Sequence, residues 1–213
     1  MIRNLENKVA WITGAGSGIG RDAAIKLSKL GMKVILSGRN KNSLLDTQER
    51  CKTNTIIKPV DVSKKSDVKD IFCEIKKEIG YVDILVNCAG INIDKSFMQM
   101  DDESWDKVVD THLKGTFISS QEFSRQYKGE SGHIITLGAG CGIQGRLNGA
   151  NFCSAKGGIL ALTKCMAREL APRIAVNCLT PSAVDTAEVV SRYNLNTQDC
   201  LLYTSPSPRD FTE

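Results

Sequence analysis

The chain contains no run of roughly 20 apolar residues, the length that a bilayer-spanning helix needs, so nothing in it reads as a transmembrane helix. The residues from Met1 to Lys8 are polar and lead straight toward an apolar run, without the hydrophobic stretch of a secretory leader. Clusters of one charge sign are also missing. The 28 basic and 24 acidic residues are dispersed and leave a net charge of +4, which gives no footprint for nucleic acid or for an acidic membrane. None of the eight cysteines forms a CxxC pair, so neither a disulfide framework nor a metal site is expected. Cys51, Cys73, Cys88, Cys141, Cys153, Cys165, Cys178 and Cys200 are read as reduced, mostly buried thiols. Together these absences lead to the expectation of a soluble cytoplasmic protein.

What the sequence does contain is an alternation. With 213 residues and 41% hydrophobic content it can bury one substantial core. Short apolar runs predict strands near Val9–Thr13, Val34–Ser37, Thr55–Val60, Ile84–Val86, His133–Leu137 and Ile174–Leu179. Between them, helical patterns run near Gly18–Leu30, Lys41–Cys51, Lys64–Ile79, Asp102–Tyr127 and Asn151–Leu170, the last closed by Pro172. This βαβ rhythm predicts an α/β fold in which a parallel sheet is covered on both faces. No repeat or linker interrupts it, so residues 1–199 are expected to form a single domain.

Thr13-Gly14-Ala15-Gly16-Ser17-Gly18-Ile19-Gly20 joins the first strand to the first helix. Such a turn lets backbone N–H groups approach a pyrophosphate at a helix N-terminus, and Gly14, Ser17, Gly18, Ile19 and Gly20 are the candidate cradle. A tight βα turn without a ligand would also need glycine, but the position after a strand within a βαβ unit is the context that nucleotide binding requires. The second strand closes with Ser37-Gly38-Arg39-Asn40. An acid there would bind a ribose 2′-hydroxyl, whereas Arg39 is suited to a 2′-phosphate, so NADP(H) is expected over NAD(H). The alternative for Arg39 is a solvated loop residue.

With Asn87-Cys88-Ala89-Gly90 and Asn151-Phe152-Cys153-Ser154-Ala155-Lys156, this glycine turn makes the chain resemble the short-chain dehydrogenase/reductase family from about Asn4 to Thr186. The segment from Asp94 to Phe117 and the Lys156 region look most like the 3-oxoacyl-carrier-protein reductase branch. The resemblance implies a Rossmann-type, doubly wound, three-layer fold acting on a ketone or secondary alcohol. It also implies further cofactor residues: Asp61 and Val62 at the adenine, Asn87, Ala89 and Gly90 beside the adenosine ribose, Lys156 at the nicotinamide ribose, and Pro181 and Thr186 at the nicotinamide amide. Ser182 replaces the family's glycine there.

Two departures from the family pattern dominate. Phe152 stands where the family has its catalytic tyrosine, four residues before Lys156, and Ala139 stands where it has a serine, thirteen residues before Phe152. Carbonyl reduction places growing negative charge on oxygen, which the missing hydroxyls would have met. Each replacement removes an oxygen and largely keeps shape, so the fold should persist while turnover falls steeply. Lys156 keeps its ribose task, and His112, where the family often has asparagine, is the candidate substitute acid or water holder. A non-catalytic nucleotide-dependent regulatory or interaction protein is the alternative reading.

Gly157 and Gly158 lie inside a predicted helix, where close packing is the expected compensation. In the family this helix and the one at residues 102–127 form a subunit contact, so a homo-oligomer is expected. Relatives continue past Thr186 into a helical segment and a seventh strand, which here is expected to be missing. The run from Cys200 to Asp210 reads as an in-frame translation of a sequencing-library adapter, making residues 200–213 an expected non-native tail. An ordinary Ser/Pro-rich flexible tail is the alternative.

Overall fold

Six short strands lie side by side in the computed structural model, which describes residues 5–52, 55–129, 131–181, 184 and 186–193. They are β1 (Val9–Thr13), β2 (Lys33–Ser37), β3 (Thr55–Ile57), β4 (Ile84–Asn87), β5 (Gly132–Leu137) and β6 (Ile174–Leu179). All neighbours are parallel, in the order β3-β2-β1-β4-β5-β6. The chain therefore winds outward from β1 in one direction and then returns to place β4 on the other side of β1. Ligands of open α/β sheets settle at this reversal, beyond the carboxyl ends of the strands.

The connecting helices are α1 (Gly18–Lys29), α2 (Lys41–Glu49), α3 (Lys65–Glu78), α4 (Asp102–Val109), α5 (Gly115–Gln126), α6 (Cys141–Gln144), α7 (Ala150–Leu170) and α8 (Ala187–Tyr193). Alternate residues of β1 feed opposite cores, as the period of a strand requires. Trp11 joins Ile35, Leu85 and Ile134 on the face covered by α3 and α5, through Phe72, Ile75, Ile118 and Phe123. Ala10 and Ile12 join Val34 and Leu36 on the face covered by α1 and α2, through Ala24 and Leu44. Sheet strands buried on both faces read as unbroken apolar runs, and β1 is buried at every position. Trp11 meets Phe72 edge to face, with ring centroids 4.4 Å apart, and its indole N–H donates to Ser37 Oγ at 2.7 Å.

The architecture matches the expectation of a doubly wound, three-layer α/β fold, and the differences are local. β3 stops at Ile57 instead of Val60 because Pro59 has no N–H to give the ladder; Lys58 N still reaches Leu36 O, and Val60 N reaches Gly38 O. The expected continuous helix from Asp102 to Tyr127 is divided into α4 and α5 by a wide π-type turn at Asp110–Lys114. Glycine contacts explain the packing there: a Cβ on Gly115 would lie 2.7 Å from Val62 Cγ2, and one on Gly158 would lie 2.7 Å from Leu113 Cδ2. The short α6 and α8 carry too few residues for a periodic pattern and were not expected. The seven described cysteines are free, but half-buried or exposed rather than mostly buried, with Cys73 and Cys165 on the surface. Ser182 and residues 194–213, including the adapter-like run, lie outside the described residues.

Among the described residues no helix is long and apolar enough to cross a membrane, and no group of three or more potential ligand side chains is placed to hold a metal ion. The core's dependence on the sheet centre gives a direct expectation. Ile134→Ala empties space at a fully buried position and should lower stability by about 2–5 kcal/mol, read as a lower urea midpoint at unchanged m-value.

Candidate cofactor and active site

The glycine turn works by letting backbone touch backbone. Gly14 has φ +67°, and a Cβ there would lie 2.7 Å from Cys88 O and 2.8 Å from the Ala89 backbone. A Cβ on Gly20 would lie 2.3 Å from Gly14 O, so the first turn of α1 also needs glycine to fold back on the loop. Thr13 holds the facing loop: its Oγ1 accepts from Cys88 N and Ala89 N, both at 3.2 Å. At the start of α1, Ser17 sits at the N-cap but its side chain makes no capping bond, and the first turn carries no acid. The leading amides and their partial positive charge are thus left for an anion.

The carboxyl ends of β1 to β4 converge on a cavity of about 190 Å³. Gly14, Gly16 and Ser17 come from the first loop, Gly38, Arg39 and Asn40 from the second, Asp61 and Val62 from the third, and Ala89 and Gly90 from the fourth, with Thr111 at the side. Of the predicted cofactor residues, these loops bring together Gly14, Ser17, Arg39, Asp61, Val62, Ala89 and Gly90. Gly18, Ile19 and Gly20 form the adjoining helix start, and Thr186 returns over it, with its Cγ2 3.4 Å from where a Gly18 Cβ would be. Thr186 also caps α8, accepting from Val189 N at 3.3 Å. Asn87 does not face the cavity: it is buried and donates to Ser120 Oγ at 3.1 Å, tying β4 to α5. Pro181 is half-buried and outside the cavity lining.

Asp61 accepts from Ser63 N at 3.1 Å and Ser63 Oγ at 2.7 Å. Burial alone would raise its carboxyl, but the Ser63 hydrogen bonds and the charges of Arg39 and Lys64 outweigh it, so the group lies below its ordinary value.

Around Phe152 the surroundings are charged and close. Lys156 Nζ stands 5.4 Å from the ring centroid, Arg146 Cζ 5.2 Å, and the His112 ring meets it edge on at 5.1 Å. These are cation–π and aromatic contacts that a benzene ring satisfies without a hydroxyl. Arg146 is held in place by Asp94, through bonds of 2.6 and 3.0 Å, and by Asn92 Oδ1 at 3.2 Å. Lys156 is buried and donates to Leu137 O at 2.7 Å. Burial pulls its ammonium down to about 8, partly offset by the neighbouring thiols of Cys88, Cys141 and Cys178. Ala139 is half-buried at the end of β5.

His112 sits in the π-type turn and reaches back to the Gly90-Ile91 backbone. Its Nε2 lies 2.8 Å from Ile91 O and 3.1 Å from Ile91 N, and Gly90 is glycine because a Cβ there would lie 2.2 Å from His112 Cε1. Either tautomer satisfies Nε2 alone; Nδ1 is buried without a hydrogen-bond partner among the described residues. Burial, reinforced by Lys156, drives the imidazole down to about 3 against the weaker pull of the Ile91 bond. The side chain is therefore a neutral imidazole at neutral pH.

The family model for short chain dehydrogenases matches residues 8–196. This chain belongs to that family. The 3-oxoacyl-[acyl-carrier-protein] reductase FabG of Escherichia coli is 36% identical over 185 residues, covering 86% of this chain and 76% of the relative. The FabG of Staphylococcus epidermidis is 37% identical over 184 residues, covering 84% and 75%. Among solved structures, a short chain dehydrogenase from Bacillus anthracis superimposes with a TM-score of 0.79 at 30% identity, covering 82% of this chain and 75% of that one. A Sinorhizobium meliloti crystal structure assigned to the short-chain alcohol dehydrogenases gives a TM-score of 0.86 at 27% identity, covering 93% and 80%. As a member of this family the chain is built for a nicotinamide nucleotide, and its glycine cradle and open helix start fit one.

Three positioning residues of this short-chain dehydrogenase were not foreseen. Arg21 pins the glycine loop to α2, bonding Gly16 O and, at 3.1 Å, Thr47 Oγ1, which itself donates to Ala15 O at 2.9 Å. Asn151, fully buried, ties the start of α7 to Ile93 O at 3.0 Å and Ser104 O at 3.1 Å. Their sequence signal was slight: a cation one residue past the last glycine, and an amide at a helix start.

The depressed His112 imidazole has a pH consequence. The unfolded chain takes up a proton near the ordinary value of 6.5, and the folded one only near 3, so stability is lost as pH falls through that interval. His112→Asn should flatten the acid limb of the urea-unfolding profile by up to one proton per molecule; an unchanged slope would assign the acid sensitivity elsewhere.

Proposed function

We propose that this chain binds NADP(H) in preference to NAD(H) and is an oxidoreductase of the 3-oxoacyl reductase type whose turnover of ketones or secondary alcohols is strongly impaired. The observation that carries the first half is Arg39 standing on the same cavity as the glycine cradle and the uncapped start of α1, with no acid at the end of β2. A guanidinium there pairs with a 2′-phosphate in a charge-assisted hydrogen bond. Asp61 and Val62 would flank the adenine, Ala89 and Gly90 the adjoining ribose, and Lys156, Pro181 and Thr186 the nicotinamide end. Lys156 spends one of three N–H donors on Leu137 O, leaving two for a ribose.

When bound, the nucleotide supplies a hydride; protonation and charge stabilisation fall to the protein. Here Phe152 and Ala139 offer no proton and no hydrogen bond to a carbonyl oxygen. Lys156 lies beneath the Phe152 ring and His112 is neutral with Nε2 committed to Ile91, so neither replaces the tyrosine in its resting geometry. General acid catalysis is worth roughly 10²–10⁴ in rate and one oxyanion donor roughly 10²–10³, without simple multiplication. Slow reduction follows. That geometry also favours the second reading, a nucleotide-dependent binding or regulatory protein, over one in which another acid has taken the vacant role. Trp105 on α4 and Phe117 on α5 are partly exposed and fit the expected homo-oligomer contact with α7.

Two measurements test the reading. Arg39→Ala should weaken NADPH binding by roughly ten- to a hundredfold, the size of a lost charge-assisted bond, and leave NADH nearly unchanged. Fluorescence titration reads it, and equal losses for both nucleotides would refute the phosphate role. In an NADPH-oxidation assay on a panel of ketones the chain should turn over slowly, and the Ala139→Ser, Phe152→Tyr double variant should gain about 10²-fold or more. Ordinary turnover by the unaltered chain would overturn the impaired-enzyme reading. No gain, with NADPH still bound, would favour the regulatory one.

A further inference from the structure

Two thiols that this chemistry leaves idle come from different elements and meet beside Phe152. Cys141 opens α6, two residues after Ala139, and Cys153 lies in the first turn of α7, directly after Phe152. The two elements touch backbone to backbone: a Cβ on Gly142 would lie 2.7 Å from Gly157 N, and one on Gly157 would lie 2.9 Å from Gly142 O. Cys141 adjoins Gly142 in sequence, and Cys153 stands one helical turn before Gly157, on the same side of α7. The glycine contact seats the start of α6 against the first turns of α7, and the Cys141 side chain hydrogen-bonds that of Cys153. Both are half-buried, open enough for a small reagent.

We propose that Cys141 and Cys153 form a dithiol modification site that closes to an intramolecular disulfide on reaction with a low-molecular-weight disulfide such as oxidised glutathione. The step is two exchanges. The Cys153 thiolate attacks the reagent, forming a mixed disulfide and expelling one glutathione thiolate. Cys141 sulfur then displaces the second glutathione thiolate, which takes up the Cys141 proton. Two protein thiols are oxidised and one glutathione disulfide is reduced to two thiols. Burial, with Cys153 adding to it, pushes the Cys141 thiol up to about 11, so little of it is thiolate and it attacks only the mixed disulfide formed beside it, losing its proton as it does so. The closed form would bind the peptide that follows Ala139 to the helical turn that carries Phe152, fixing the two positions that flank the reacting site. The inference is independent of whether the chain turns over substrate.

The test treats the full chain with oxidised glutathione, alkylates the remaining thiols under denaturing conditions and maps the peptides. A monomeric product in which the Cys141 and Cys153 peptides are joined, reversed by dithiothreitol, is expected. Cys141→Ser should instead retain glutathione on Cys153 and give no joined peptide. The proposal fails if both thiols are alkylated in the unaltered chain, if Cys153 there keeps its glutathione, or if either residue pairs with Cys88 or Cys178.

Discussion

The contact on which the site depends involves no side chain larger than a threonine. Where the sheet reverses its winding, the turn after β1 lies against the turn after β4 at a distance that a Cβ on Gly14 would abolish. Thr13 then fixes the second turn through the Cys88 and Ala89 amides. Because strand register places Thr13 opposite both Ser37 and Asn87, the ends of β1, β2 and β4 are held level, and the loops leaving them are aimed at one crevice. The placement of α1 and the opening of the cavity depend on that close approach. An ordinary residue at Gly14 would separate the loops before it altered any ligand contact.

The Phe152 ring, which is only half-buried, sits in charged company. Two cations and an imidazole surround Phe152, and Arg146 is itself fixed by Asp94 and Asn92. The electrostatic consequence is a patch with positive charge and no hydroxyl at its centre. Retaining Lys156 there costs the fold something, since burial disfavours its ammonium and only a backbone carbonyl and nearby thiols offset this.

How much of this could be read beforehand depended on whether a feature was repeated along the chain. The sheet was legible, because buried strands such as Val9–Thr13 and Ile174–Leu179 announce themselves as apolar runs between turn residues. So was the glycine cradle, whose residues are consecutive. Features resting on contacts between distant positions were not: the Asn151 staple, the Arg21–Thr47 clamp and the meeting of Cys141 with Cys153 leave no periodic trace. Asp61 shows the middle case, since a hydrogen bond to Ser63 two residues on is a local turn, yet its place on the cavity depends on the third strand. The short α6 is fixed by its packing against α7 rather than by propensity.

The widened turn at Asp110–Lys114 does more than aim His112. One residue beyond the regular helical count rotates everything after it by about 100° around the axis. The buried positions change character across it: α4 buries Ser104 and Val108, whereas α5 buries residues around much of its circumference, from Thr116 and Ile118 to Ser120 and Phe123. The backbone stays helical through the turn, so its extra residue shifts the phase of α5 without breaking the chain's path from α4. A deletion that regularised the turn would leave each half helical while pointing one of them at the wrong neighbour.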